Sequence, residues 1–206
     1  MINYKYFMNA EMFYSLVMFA SLASFLYLGK KWKIPKHFIL LHSTIVGWSG
    51  LMYLFIAYQT SIADLARYFD WVVSTPLLLM ALYFTAILNK KGNYSIMLYL
   101  LILQPIVILT GLFADFLGDL RYFYLGLFLL AIIIKIIWVD LYKLAVNKKK
   151  YDFLLKYFTI QWLLYPLVFI LYPLNFISLE TYNVLFVILP IFSKAVFGFI
   201  DLYLLK

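Results

Sequence analysis

The stretch 66-ARYFDWVVSTPLLLM-80 sets Arg67 and Asp70 one helical turn apart in a run that is otherwise nearly all apolar. A charge that water cannot reach is costly unless something neutralises it. The pair therefore needs a partner, and the rest of the chain says in what solvent. Of 206 residues, 67% are hydrophobic, 21% aromatic and only 13% charged. Soluble domains run at roughly 45–50% apolar and about 25% charged. A water-soluble domain of this length cannot hide so much apolar surface, so the solvent is a bilayer.

There is no cysteine, which excludes disulfides and thiolate metal sites; no metal is expected. The net charge of +8 would suggest nucleic acid in a soluble protein, but here loop placement explains it and no nucleic-acid partner is expected. The N-terminus, MINYKYFMNAEMFYSLVMF, has an early Lys5 and a Glu11 that interrupts its apolar run. No small-residue cleavage site follows, so it reads as a first span and not as a removed signal peptide.

A spanning helix needs about 20 mostly apolar residues. Candidates fall at 10–29, 38–58, 65–88, 94–114, 121–145, 152–173 and 181–204. Short polar breaks separate them: GKKWKIPKH, YQTSIAD, NKKGN, ADFLGDL, NKKKYD and LNFISLET. With no linker and no internal repeat, residues 1–206 read as a single seven-helix transmembrane domain, an all-α membrane protein folded as a helix bundle. Lys30, Lys31, Lys33 and Lys36 lie in the first break, Lys90 and Lys91 in the third, Lys148, Lys149 and Lys150 in the fifth, and Lys206 ends the chain. The other breaks hold Asp64, Asp115, Asp119 and Glu180, with Arg121 their lone basic residue. The positive-inside rule then puts the C-terminus in the cytoplasm and the N-terminus outside.

Ionisable residues within spans mark functional sites by default. The deep ones are Arg67, Asp70, Lys194, Asp201 and His42, with Lys135, Asp140 and Glu11 less deeply placed. Lys194 lies mid-helix in 189-LPIFSKAVFGFIDLYLL-205. A free ammonium there would be expected to neutralise or to be modified, and a Schiff base with an aldehyde is one such modification. A salt bridge between Lys194 and Asp70 that only packs helices is the alternative. From these residues alone, both readings stand.

Four motifs add context. ARY-x-DW-x-x-STPLLL in the third span and SK-x-x-x-GF in the seventh are joined by 162-WLLYPLVF-169 in the sixth and 110-TGL-112 in the fourth. Together they resemble the microbial rhodopsins, seven-helix proteins that bind retinal, over the whole chain. The resemblance implies that Lys194 carries all-trans retinal as a protonated Schiff base, with Asp70 as its counterion and Arg67 in support. It implies a pocket of Trp71, Thr75, Leu78, Gly111, Trp162, Tyr165, Pro166 and Phe169, with Pro190 and Ser193 beside the lysine. Aromatic rings make a rigid apolar slot for a conjugated chain, although aromatics at helical spacing serve plain core packing as well. Retinal, protons and membrane lipid are the partners implied, with assembly as a homo-oligomer, a trimer or other small ring, in the plasma membrane. No enzyme activity is expected.

The family's ion-handling positions read Asp70, Ser74 and Ala81. Ala81 lies about 16 Å along the helix from Asp70, eleven residues at 1.5 Å, where outward proton pumps place a carboxylate. Alanine cannot donate a proton. Pro190 stands where most pumps have a second carboxylate, and a proline removes a backbone donor and loosens the helix. Asp201, seven residues after Lys194, projects from the same face about 10 Å further on. His42, in the second span, stands at roughly the same depth. Each residue alone reads as a helix-end or packing residue; at matched depth the two can form one shared proton acceptor. This set is similar to the xenorhodopsin branch, which includes light-driven inward proton pumps, although some of its members have an aromatic residue at the Arg67 position. The reading that follows is an inward pump. Its proton leaves toward His42 and Asp201 and is replaced from the extracellular side, with Pro190 and Ser49 as candidates for the access switch. The alternative is a photochromic sensory rhodopsin that signals to a soluble transducer without net transport.

Overall fold

The computed structural model describes residues 4–88 and 90–206; Met1–Asn3 and Asn89, the first residue of the third break, lie outside the described residues. Among the described residues seven helices are long and apolar enough to cross a membrane, and no strand occurs. They are α1 (Tyr4–Lys31), α2 (Lys36–Ala57), α3 (Ala63–Ile87) and α4 (Tyr94–Leu117), then α5 (Leu120–Leu144), α6 (Lys148–Leu171) and α7 (Leu179–Leu205). This is the all-α, seven-span architecture expected from the apolar runs.

The ends follow local chemistry. Gly118 stops α4 in the left-handed conformation at φ +63°, which glycine adopts without strain. Asp119 then caps α5, its side chain accepting the Arg121 backbone N–H at 2.9 Å. The Arg121 side chain also donates to that carboxylate and holds it below the usual carboxylate range. Asn93 caps α4 and Ser178 caps α7 in the same way, each satisfying a donor that the first turn leaves open. α6 stops at Leu171, two residues short of the expected end, because Tyr172 precedes Pro173 and a residue before proline disfavours helical backbone.

The chain divides into two compact units. The first joins residues up to Arg67 with Lys156–Lys206, and the second is Tyr68–Leu155. In the first, α1 packs along α2 at close range: a Cβ on Gly50 would stand 3.1 Å from the Met18 Cβ. In the second, hydrogen bonds tie α3 to its neighbours. Tyr68 donates to Asp115 on α4 at 2.8 Å, and the Val146 N–H past the end of α5 donates to the Ala86 carbonyl at 2.9 Å. Two helices depart from regular geometry, with π-helical stretches at Ile136–Leu141 in α5 and Ile191–Val196 in α7.

Candidate functional site

The lysine of α7 stands in its π-helical stretch. Pro190 precedes that stretch and, having no N–H, cannot make the α-helical bond to the carbonyl of Phe186. Tyr53 on α2 supplies a donor there, its hydroxyl 2.6 Å from the Phe186 oxygen. π-helical stretches are rare, and inside α-helices they fall frequently at functional sites. Here it presents Ser193 and Lys194 to the interior, at 3% and 1% exposure.

Lys194 Nζ donates to Ser49 Oγ of α2 at 2.9 Å. That oxygen also shares a 2.6 Å hydrogen bond with the Tyr14 hydroxyl of α1. The Tyr14 ring lies on that of Tyr53, centroids 3.9 Å apart. Beside the lysine, Ser193 Oγ and the Tyr165 hydroxyl of α6 are 2.7 Å apart. Trp162, Tyr165, Pro166 and Phe169 follow the spacing of one face of α6. Trp162 is buried against Phe158 at 4.3 Å, and Phe158 stands edge-on to Phe197 of α7; Tyr165, Pro166 and Phe169 are half-buried.

Seven residues past Lys194, Asp201 Oδ2 is 2.7 Å from His42 Nε2, both side chains fully buried. The imidazole stands between Phe25 and Phe197, each centroid 5.9 Å away. Gly198 makes the approach possible, since a Cβ there would stand 2.6 Å from the Phe25 ring and 3.1 Å from His42 Nδ1. A short bond between an imidazole nitrogen and a carboxyl oxygen is held by one proton between the two side chains.

Toward the other end of the first unit, Arg67 donates to Asn183 of α7 at 3.4 Å, and its guanidinium carbon lies 5.4 Å from the centre of the Phe186 ring. In the second unit Asp70, Ser74 and Ala81 are all fully buried on α3. Offsets of four and eleven residues return close to one face of the helix. Trp71 and Leu78 are buried as well. The half-buried Thr75 bonds back to the Trp71 carbonyl at 2.7 Å and accepts from Gln104 of α4 at 3.0 Å. On α4, Gly111 is half-buried, yet a Cβ added there would meet nothing within 4 Å.

These residues fit a covalently held retinal. A buried primary amine suits an aldehyde. Aromatic side chains on α6 suit a rigid apolar group. Tyr14, Tyr53, Asn183 and Gln104 were not anticipated. Gln104 and Asn183, amides inside apolar spans, carried a sequence signal, because amides within membranes serve a partner. Asp140 is half-buried in the π-stretch of α5, and Lys135 just before it is exposed.

The profile of bacteriorhodopsin-like proteins matches residues 9–206. The chain belongs to that family. It is a microbial rhodopsin, a multi-pass integral membrane protein with the fold of the family's light-driven ion pumps, and the family implies a retinal chromophore on a Schiff-base lysine. Among solved structures, the inward H⁺ pump xenorhodopsin is 31% identical, with a TM-score of 0.90 over 98% of this chain and 93% of that one. Thermophilic rhodopsin from Rubrobacter xylanophilus is 24% identical, with a TM-score of 0.85 over 96% and 95% of the two chains. Halorhodopsin, a light-driven chloride pump, shares the fold at 18% identity and a TM-score of 0.84, over 95% and 92%. Comparison with curated proteins gives no match.

Proposed function

We propose that this rhodopsin is a light-driven inward proton pump in which His42 and Asp201 receive the proton that leaves Lys194. The observation that carries this reading is the fully buried 2.7 Å contact between His42 and Asp201, on the C-terminal side of the lysine. On α3 the position eleven residues past Asp70 is Ala81, which can neither give nor take a proton. The 31% identity to the inward pump xenorhodopsin supports the direction.

All-trans retinal, held on Lys194 as a protonated Schiff base, supplies visible absorption and an isomerisation that redirects the proton on Nζ. Trp71, Thr75, Leu78, Gly111, Trp162, Tyr165, Pro166 and Phe169 would hold it, with Ser193 next to the lysine in sequence and Pro190 one turn before it. Asp70 balances the positive charge at Nζ; Ser74, a turn further along α3, and Arg67 adjust the field around that carboxylate. Asp201 lies about 10 Å from Lys194 along the axis, seven residues at 1.5 Å. A proton released from Nζ in that direction meets an acceptor that spreads the added charge over imidazole and carboxyl. Reprotonation of Nζ comes from the opposite face.

The lysines of alternate loops support an N-terminus outside and a C-terminus in the cytoplasm, which makes the His42–Asp201 side cytoplasmic and the transport inward. Residues 1–206 act as one retinal-binding domain in the plasma membrane, assembled as a small homo-oligomeric ring. The test is the pH of an unbuffered suspension of retinal-supplied cells under illumination. Alkalinisation abolished by a protonophore supports an inward pump, and acidification refutes it. A coloured protein that completes a photocycle with no pH change is a sensor.

A further inference from the structure

We propose that Glu11, Tyr14 and Ser49 form the line by which Lys194 regains its proton from the outer face. The inference rests on the inward-pump reading and names the return path that reading leaves open. Glu11 has no part in the site described so far. Its side chain is 2% exposed, and neither carboxyl oxygen has a hydrogen-bond partner among the described residues. Burying a bare carboxyl costs stability, so packing does not explain it.

Tyr14 follows three residues later on the same face of α1, about 4.5 Å further along the axis, and is fully buried. In this line a water bridges the Glu11 carboxyl and the Tyr14 hydroxyl. From Tyr14 inward the contacts are direct: 2.6 Å from its hydroxyl to Ser49 Oγ, then 2.9 Å from Ser49 to Lys194 Nζ. The line thus starts at an acid near the outer end of α1 and finishes at the nitrogen that must be recharged. The charged and titratable groups around it are Arg67 of α3, which acts on Glu11 electrostatically, Tyr53 of α2, stacked on Tyr14, and Lys194 itself.

The transfer balances. A proton from the outer face converts the Glu11 carboxylate to the acid. Glu11 passes a proton to the bridging water, the water gives one of its own to the Tyr14 oxygen, Tyr14 gives its own to Ser49, and Ser49 gives its own to Lys194 Nζ. Glu11 is left as carboxylate, Nζ gains one proton, and both hydroxyls are unchanged in composition.

The test uses Glu11→Gln, Glu11→Asp and Tyr14→Phe in the full chain. Tyr14→Phe removes one oxygen and keeps the stacked ring, so it tests the line even where a change at Glu11 disturbs folding. In retinal-free protein, infrared titration should show a carboxyl band that Glu11→Gln removes and Tyr14→Phe shifts. In retinal-loaded protein, recovery of the starting state after a flash should slow about tenfold or more in Glu11→Gln and in Tyr14→Phe. Glu11→Asp should restore it in part, and the first deprotonation of Lys194 should keep its rate. Recovery within about twofold of the parent in either Glu11→Gln or Tyr14→Phe, or a band unmoved by Tyr14→Phe, overturns the proposal. The sign of the parent's light-driven pH change is a separate readout: acidification defeats the inward reading whatever the variants do.

Discussion

Replacing His42 by leucine leaves Asp201 fully buried without the imidazole that stands 2.7 Å from it. If the pair is a neutral hydrogen bond, removing the imidazole costs about 1–3 kcal/mol. If it is ionised, the loss is about 3–5 kcal/mol, because taking one partner from a buried ion pair is strongly destabilising. Asp201→Leu does the reverse, leaving the imidazole between Phe25 and Phe197 without its carboxyl. The double variant His42→Leu/Asp201→Leu removes both polar groups and fills their place with apolar atoms. Such replacements of buried pairs are often neutral or stabilising by about 1–4 kcal/mol. Unfolding in detergent, measured on all four proteins, should therefore show two destabilised single variants and a double variant near the parent. The coupling should be at least about 2 kcal/mol, well beyond the roughly 0.3–0.5 kcal/mol within which independent sites add. The double variant should still bind retinal and should move no protons, since stability and proton handling separate at this pair. Single losses that simply add would refute direct coupling between the two side chains.

Other consequences follow from individual contacts. Gly198→Ala drives a methyl to within 2.6 Å of the Phe25 ring and 3.1 Å of His42 Nδ1, so it should cost about 1–3 kcal/mol through overpacking; its unfolding midpoint and its proton movement should fall together. Tyr53→Phe removes the donor to the Phe186 carbonyl and should cost about 1 kcal/mol. The loss should shrink in a Pro190→Ala background, where the backbone regains an N–H; an equal loss in both backgrounds would rule out the link between Tyr53 and the proline. At the α4–α5 turn, the Arg121 side chain holds the Asp119 carboxyl below its usual range. The cap is therefore fully in force above the ordinary carboxylate value of about 3.9 and is lost only as pH falls through the lower folded value. Hydrogen exchange at the first amides of α5 should stay protected at pH 5, and loss of protection there would contradict it.

The spans were legible because apolar runs of the right length end at polar breaks; their exact ends were not, since Gly118 and Pro173 stop α4 and α6 for backbone reasons that run length does not carry. His42 and Asp201 were legible as neighbours in depth, since a helix advances by a fixed rise and depth can be counted from its ends. That they touch depends on Gly198 and on the rotation of two helices, which counting does not give. Tyr14 and Tyr53 were not legible at all. The chain has 19 tyrosines, and nothing local separates one that meets Ser49 from one that faces lipid. Pro190 announced a loosened helix at the lysine. The π-stretch of α5 over IIWVDL, with no proline or glycine, had no such signal, because it depends on packing and not on backbone restriction.

The most direct measurement is the photocurrent of voltage-clamped cells that make the retinal-loaded protein, at zero applied voltage and equal pH on both sides. An inward current is predicted, strongly reduced in both His42→Ala and Asp201→Asn. An outward current, or an inward current that neither substitution changes, would contradict the assignment of this pair as the proton acceptor of an inward pump.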